Sequence, residues 1–205
     1  MKKYIALASL AITTLLIVGC TQSTSTGVEQ SSSPVPVPTT TDALNHYTNA
    51  NFSISYPNAV TLQTESNITG GNLDTPVAKF LLPQTTFKAE NTNFREGFVV
   101  VSKSTKADVV KTCIQFLNAA TTDTEPKLVM INGNQFSKVE SSDAGAGNFY
   151  QGNLYRIVYD NTCYEMAEII HTTNAMNYDP PMQEFNKAEA LNILDPIVNS
   201  FTFAS

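Results

Sequence analysis

One stretch of the chain has the residue types of a metal site. Glu165, Glu168 and His171 recur at every third position. On a helix, Glu-x-x-His places two ligands on one face, as in half of a di-iron carboxylate site, which needs a second such motif. On a strand, Glu165 and His171 would lie about 20 Å apart at about 3.3 Å per residue, and Glu168 would face the opposite way. Because apolar residues and a turn signal precede this stretch, we predict a strand, and we expect neither a metal nor another cofactor.

Nucleophilic catalysis has weak support in the sequence. The chain has no Gly-x-Ser-x-Gly elbow and no Ser-x-x-Lys motif. The glycine-rich residues 143–148 lack the Lys and the helix start of a phosphate-binding loop, so we interpret them as a flexible connection. We therefore predict no catalytic residues. An envelope hydrolase would require His46 or His171 within reach of a Ser, a Cys or a carboxylate in a cleft.

The beginning of the chain predicts export. Lys2 and Lys3 precede about 15 apolar residues, which is typical of a secretory signal peptide over residues 1–19. This apolar run is too short to span a membrane, which takes about 20 residues. It ends in Ile17-Val18-Gly19-Cys20, which resembles a bacterial lipobox.

The lipobox resemblance implies cleavage before Cys20, a diacylglycerol on its sulfur and a further acyl chain, such as palmitate, on its amine. Two or more acyl chains anchor a protein stably to a membrane. We therefore expect a lipid-anchored envelope protein that faces outside the cytoplasm. Thr21, which is not Asp, favours the outer membrane if the cell has one. The alternative is an ordinary cleavable signal in which Cys20 is incidental.

Composition separates a tether from one domain. Residues 20–43 contain the lipidated Cys and then mostly Ser, Thr and Pro, which cannot bury enough surface to order the segment. Residues 44–205 have the length of a single domain. The formal net charge is −6, and no Lys/Arg cluster follows the signal. Binding to nucleic acids or to anionic lipid headgroups is therefore disfavoured.

The three cysteines predict one disulfide. With Cys20 used by the lipid, Cys113 and Cys163 remain, and an exported chain lies where disulfides persist. Cys113 lies on the apolar stripe of a predicted helix, and Cys163 begins a strand which that helix could cover. The alternative is two buried free thiols. A redox pair is disfavoured because no Cys-x-x-Cys lowers a thiol pKa.

Hydrophobic periodicity and turn residues predict an α+β fold with a largely antiparallel sheet, because hairpins with two helices dominate over βαβ alternation. The predicted strands are residues 52–56, 60–66, 77–82, 98–101, 128–131, 135–140, 149–159, 163–172 and 201–203. One predicted helix begins at a capping box of Thr105 and Asp108, with its apolar stripe running through residue 117. The other covers residues 185–194, with Asn186 as its cap, and Pro196 breaks or restarts it.

Two dipeptides predict tight hairpins, namely Asn132-Gly133 and Asp160-Asn161. A two-residue turn at Asp160-Asn161 would place Arg156 opposite Glu165 on the neighbouring strand. A three-residue turn would place Arg156 opposite Met166 instead, because the register would shift.

Short motifs at both ends of this domain resemble a PsbP-type domain. They are Asn51-Phe52-Ser53-Ile54-Ser55-Tyr56-Pro57, the following order of strands, helix and hairpin, and the closing Ile193-Leu194 and Ser200-Phe201-Thr202-Phe203. Such domains occur in photosystem II extrinsic proteins and in bacterial lipoproteins. The resemblance implies a single α/β/α sandwich without catalytic residues, whose relatives assist assembly or bind partners.

Tyrosines are concentrated in the last third of the chain. We predict a possible contact patch from five of them, because Tyr suits half-buried contact surfaces: Tyr150, Tyr155, Tyr159, Tyr164 and Tyr178. The alternative is that they pack between the sheet and the helices. The sequence thus favours a non-catalytic binding or assembly module with an envelope protein as its partner. A scavenging lipoprotein for small molecules or metals is the main alternative, and it requires a pocket lined by these tyrosines or a convergent set of His171, Glu165 and Glu168.

Overall fold

The computed structural model describes residues 43–64, 68–117, 119, 121 and 125–204. The predicted signal peptide, Cys20 and nearly all of the tether lie outside these residues. Ten strands and two α-helices make up the described part. The strands are β1 (Asn45–Thr48), β2 (Phe52–Tyr56), β3 (Thr61–Gln63), β4 (Thr75–Pro83), β5 (Phe94–Ser104), β6 (Lys127–Ile131), β7 (Asn134–Gly145), β8 (Asn148–Tyr159), β9 (Thr162–Thr173) and β10 (Thr202–Phe203). The helices are α1 (Ala107–Thr112) and α2 (Lys187–Asn199).

The strands form two antiparallel sheets. Seven strands are ordered β3-β4-β5-β9-β8-β7-β6, and the other three are ordered β1-β2-β10. The neighbouring strands within each sheet pair antiparallel. The α+β class and the largely antiparallel sheet are therefore confirmed. The predicted buried run at residues 98–101 lies in β5, between β4 and β9, and it is covered on both faces.

The two faces of the seven-stranded sheet differ in what covers them. On the helix face, α2 and the three-stranded sheet cover a large core; its sheet residues include Phe80, Val99 and Met166. On the opposite face, which we call the cleft face, a smaller core contains Phe98, Leu154 and Ile169. The helical cover of that face is short, because α1 has six residues and passes into a 3-10 turn at Cys113–Gln115.

The first predicted helix is therefore shorter than its pattern suggested. Its N-cap is Lys106, and no side chain caps it, so the predicted capping box is wrong. Phe116 has a positive φ of 54° and ends the helical path. Beyond it the apolar stripe fails, because Leu117 is 67% exposed.

The second predicted helix begins where expected. The side chain of Asn186 accepts a hydrogen bond from the backbone N–H of Ala188, as an N-cap does. Pro196 neither breaks nor restarts the helix, contrary to the prediction, since α2 runs through it to Asn199. Pro196 lies on the exposed side, while the buried Leu194 and Ile197 hold the helix against the sheet.

Three two-residue turns set the register of the β6–β9 meander. Asn132-Gly133 and Asp160-Asn161 have positive φ angles at both positions and connect their strands as predicted. Ala146-Gly147 forms a third turn of this kind. Residues 143–148 therefore contain the predicted hairpin connection, but its turn is tight rather than loose, because strand pairing continues to Gly145 and Asn148.

Candidate functional site

The five tyrosines do not share one surface. Tyr155, Tyr159 and Tyr164 lie on the helix face, where Tyr159 stacks on Phe203 with ring centroids 3.8 Å apart. Tyr150 lies on the cleft face. Tyr178 follows β9 and accepts a hydrogen bond from the guanidinium of Arg95. Tyr155 and Tyr164 are thus buried in the core, Tyr159 is 40% exposed, and Tyr150 alone among the five lines the cleft described below.

The Glu-x-x-Glu-x-x-His stretch lies in β9, as the strand prediction required. Glu165 and His171 lie on the cleft face, and Glu168 lies on the helix face. The three side chains therefore do not converge. Within the described ranges, no group of three or more His, Cys, Asp or Glu is arranged to hold a metal ion.

Arg156 and Glu165 form a buried ion pair on the cleft face. They lie directly opposite each other, which confirms the register set by the two-residue turn. Arg156 donates from Nε and Nη2 to Oε2 of Glu165 at 2.7 Å each, and its Nη1 donates to the Cys113 carbonyl at 3.3 Å. Both Oε1 bonds of Glu165 come from Asn72, through its backbone N–H at 2.9 Å and its amide at 3.0 Å. The pair thus fastens the 68–74 segment to the sheet.

Cys113 and Cys163 form the predicted disulfide, with their Cα atoms 5.7 Å apart. Both cysteines are buried, with Leu73 beside them and Val109 and Val110 packed around them. The disulfide therefore joins the end of α1 to the first residues of β9, and Leu73 of the 68–74 segment packs against it. Together with the Arg156 pair, it fixes the cover of the cleft face.

A cleft of about 330 Å³ crosses the cleft face beside the 68–74 segment. Its lining comes from five adjacent strands, from β4 to β7, and we call it the Lys79 cleft. Phe98 and Ile169 form its apolar floor, and the polar side chains stand around that floor. The lining residues are Thr69, Gly70, Asn72, Lys79, Glu96, Phe98, Ser141, Asp143, Tyr150 and Ile169.

Lys79 occupies one end of this cleft. Its Nζ lies 4.2 Å from the centroid of the Phe98 ring and 3.7 Å from Oε2 of Glu96. The Lys79 side chain is 9% exposed, so its charge is held by an aromatic face and a carboxylate rather than by water. Gly70, with a φ of +104°, lets the segment pass over Phe98, because a Cβ there would lie 2.8 Å from the ring.

Tyr150 and Asp143 form the other end of the Lys79 cleft. The Tyr150 ring stacks on the His171 ring, with centroids 4.3 Å apart and an interplanar angle of 17°. Burial lowers the pKa of His171, so its ring is neutral at neutral pH. His171 also bonds Oδ1 of Asn148 through Nε2 at 2.9 Å, which fixes the ring orientation. Asp143 lies directly opposite Tyr150 on β7.

A second cleft, of about 310 Å³, lies on the other side of Asn72. Arg156 lies in its wall with Lys106 and two exposed acids, Asp74 and Asp108. A hydrogen bond from Ser104 lowers the pKa of Asp74, and Lys106 pairs with it at 3.4 Å. The donors of Arg156 are mostly committed to Glu165 and Cys113, so this cleft offers a ligand less than the Lys79 cleft does.

Two carboxyl groups meet beneath α2 on the helix face. Glu168 is fully buried and accepts from the amide of Asn153 at 2.8 Å and from the hydroxyl of Tyr155 at 3.3 Å, both at Oε2. Its Oε1 is buried without a hydrogen-bond partner among the described residues. Burial, together with the nearby Asp195, raises the pKa of Glu168 to about 7. Burial and the charges of these two acids also raise the pKa of Tyr155.

The two histidines have different surroundings. His46 Nδ1 lies 3.0 Å from Oγ of Ser55, which is its cross-strand neighbour on an exposed hairpin. Neither residue lines any of the clefts described above. His171 contacts Asn148 and Tyr150. On β5, the cross-strand neighbour of His171 is Glu96, a carboxylate that lines the Lys79 cleft.

Sequence reasoning missed most of the Lys79 cleft. Lys79 interrupts a predicted apolar strand. A Lys within a core pattern is the sequence signal that could have indicated this site, because a buried Lys is rare unless it is paired. Asp143 was assigned to a flexible connection, although the alternation of β7 continues through it. The cleft depends on which strands become neighbours, and no local pattern reports that.

The sequence and the fold were also compared with known proteins. No protein-family model and no curated protein matches this sequence. The chain is similar to a crystal structure from Bacteroides thetaiotaomicron VPI-5482 at 1.50 Å resolution, with a TM-score of 0.43 and 11% sequence identity. That match covers 75% of this chain and 45% of the other, so this chain spans less than half the length of that structure. Within the described ranges, no helix has the length and hydropathy needed to cross a membrane.

Proposed function

We propose that this chain is a lipid-anchored, non-catalytic binding module of the cell envelope, with a PsbP-like domain that binds a small ligand in the Lys79 cleft. The anchor is the acylated Cys20 implied by the lipobox, and residues 20–43 are the spacer. The observation that carries the binding function is the Lys79 cleft itself. It combines an apolar floor with convergent polar groups, which is the usual design of a small-molecule site.

Two further observations support this proposal. The Cys113–Cys163 disulfide suits an oxidising compartment outside the cytoplasm. The cover of the cleft face is fixed by the disulfide and by the buried Arg156–Glu165 pair, so the cleft is preformed rather than assembled on binding.

Filling the cleft tests the binding function. Thr69 is exposed and lines the cleft, so Thr69→Trp places a bulky ring in the opening. The matched control is Thr61→Trp, at an exposed position on β3 that does not line the cleft. Fractions of envelope extract are screened for a rise in the melting temperature of the full mature chain, since a ligand that binds the folded state stabilises it. We expect one or more fractions to stabilise the wild type and the control but not Thr69→Trp; equal stabilisation of all three would refute the cleft as the site.

Mass spectrometry of the mature chain tests the anchor. We expect an acylated Cys20 at the N-terminus and release of the protein from membranes in Cys20→Ser. An unmodified N-terminus on a membrane-bound chain would contradict lipidation.

Protein assembly is a second candidate function, and the open edge of the large sheet favours it. Among the described residues, β6 pairs with β7 alone, and on this edge Leu128 is 66% exposed and Met130 is 62% exposed. Large apolar side chains on an unpaired strand edge are typical of protein contact. Crosslinking in intact envelopes from a photoreactive residue at position 128 tests this candidate, and recovery of no specific partner would count against it.

A further inference from the structure

We propose that the Lys79 cleft selects a small organic ammonium ion, whose cationic head binds between the ring of Tyr150 and the carboxylate of Asp143. This inference rests on the proposed binding function and names the class of its ligand. Four features of the cleft lead to it.

The first feature is an internal example of the same chemistry. At the β4 end, the ammonium of Lys79 is held by the Phe98 ring at 4.2 Å and the Glu96 carboxylate at 3.7 Å. An aromatic face with an adjacent carboxylate is the arrangement that recognises ammonium ions in proteins. The cleft therefore already holds one such ion, supplied by the chain itself.

The second feature is the repetition of that arrangement without its cation. At the β7 end, Tyr150 supplies the ring, and Asp143, directly opposite on the next strand, supplies the carboxylate. Among the described residues, no ion pair or cation–π contact involves Asp143 or Tyr150, and the Asp143 carboxylate accepts one hydrogen bond, from the backbone N–H of Ala144 at 2.8 Å. An incoming ammonium would complete this second arrangement.

The third feature is the position of the Tyr150 ring. His171 lies on β9, on one side of β8, and its ring stacks on one face of Tyr150. Asp143 lies on β7, on the other side of β8. His171 and Asp143 therefore flank Tyr150 from opposite sides, and stacking on His171 holds the Tyr150 ring in place before a ligand arrives.

The fourth feature is the charge of the lining. Its charged side chains are one ammonium, Lys79, and two carboxylates, Glu96 and Asp143. Because Lys79 is already paired with Glu96, the carboxylate of Asp143 remains as excess negative charge. A cation is therefore favoured over an anion, and the volume of about 330 Å³ fits a small molecule rather than a folded partner.

Isothermal titration of the full mature chain in detergent micelles tests this inference with three matched probes. Choline carries the ammonium, 3,3-dimethylbutan-1-ol has the same shape without the charge, and acetate carries the opposite charge. We expect choline to bind at least about tenfold more tightly than the neutral alcohol, and acetate not to bind. A fourth probe, the peptide Gly-Lys-Gly, tests whether the ammonium belongs to a protein side chain.

Variants locate the binding. We expect Asp143→Asn and Tyr150→Leu each to weaken choline binding about tenfold. Tyr150→Phe keeps the ring and should retain binding, and Asp160→Asn, at an exposed Asp in the turn between β8 and β9, is the control. Circular dichroism confirms that each variant is folded.

Three results would overturn the inference: equal affinity for choline and the neutral alcohol, unchanged binding in Asp143→Asn, or much tighter binding of Gly-Lys-Gly than of choline. The proposed function is separable from it. If choline fails while an extract fraction still stabilises the wild type and not Thr69→Trp, the ammonium class is wrong and the cleft remains the binding site. If both experiments fail, both proposals fall.

Discussion

Replacing Glu168 by Gln should remove a pH-dependent loss of stability from the domain. Glu168 is fully buried under α2, with Asp195 near it and its Oε1 without a partner among the described residues. When both acids are ionised, the buried charge of Glu168 has lost its hydration and also lies close to the negative charge of the exposed Asp195. Gln keeps the shape, accepts from Asn153 with its carbonyl oxygen and places an amide donor toward Asp195.

The magnitude follows from the pKa of Glu168. It is about 7 in the folded chain, against 4.5 for an unperturbed glutamate. At roughly 1.4 kcal/mol for each pKa unit, this difference corresponds to about 3 kcal/mol. Because the folded state binds the proton of Glu168 more tightly than the unfolded state does, this proton stabilises the fold, and the stabilisation is fully present below pH 4.5. The stabilisation is lost as the pH rises toward 7, and the loss is complete above that value.

Urea unfolding of the mature chain from pH 4.5 to pH 8.5 measures this effect. The chain has eight Tyr and no Trp, so tyrosine fluorescence and circular dichroism report the transition. We expect the free energy of unfolding of Glu168→Gln, relative to the wild type, to rise by about 3 kcal/mol across this range. Taking the difference between the two proteins cancels the titration of groups that they share. The exposed Glu140→Gln is the matched control, and its difference from the wild type should stay flat.

A difference between Glu168→Gln and the wild type that does not change with pH would refute this reasoning. It would mean that Glu168 is ionised in the fold at all these pH values. Asp195→Asn provides an independent check, because removing the neighbouring charge should shift the midpoint of the pH effect downward. An unchanged midpoint would show that burial alone sets the pKa of Glu168.

Three other predictions concern the packing that shapes the cleft. Gly152→Ala should destabilise the domain by several kcal/mol or prevent folding, since an added Cβ would lie 1.8 Å from a carbonyl oxygen of β9. The control Gly145→Ala should be neutral, because a Cβ there meets no atom within 4 Å. Equal melting temperatures of the two variants would contradict this prediction. Arg156→Leu should cost about 3–5 kcal/mol in urea unfolding because it leaves a buried carboxylate without its cation, whereas Lys106→Ala, which breaks an exposed pair, should cost less than about 1 kcal/mol. Similar losses in these two variants would show that burial does not control the pair. Cys163→Ser should lower the free energy of unfolding by up to about 4 kcal/mol, which is the chain-entropy value for a separation of 50 residues. The wild type should have no alkylatable thiol before reduction. Finding two alkylatable thiols would refute the disulfide.

Local sequence signals predicted the features that depend on neighbouring residues. The dipeptide Asp160-Asn161 set a two-residue turn, and this turn fixed Arg156 opposite Glu165. Asn186 marked the start of α2 in the same way. Both signals work because a turn or a cap is satisfied within a few residues, whatever the rest of the chain does.

Features that depend on packing were beyond those signals. Leu117 continued an apolar pattern that the fold leaves exposed, because the chain turns away at Phe116. The sequence predicts that Pro196 breaks or restarts α2, yet the helix continues through it. The buried side of α2 holds the helix together although Pro196 has no N–H to donate to the preceding turn. In each case the energy of tertiary contacts outweighed a local preference.

By itself, the sequence determined the antiparallel α+β class, the hairpin registers and the one pairing that two cysteines allow. The tertiary structure alone decided that Tyr155 and Tyr164 belong to the core, and that Lys79, Asp143 and Tyr150 line one cleft. The physical reason is the order β4-β5-β9-β8-β7, which joins strands far apart in the chain. Alternation along a strand shows which residues share a face, but only the order of the strands shows which residues become neighbours across it.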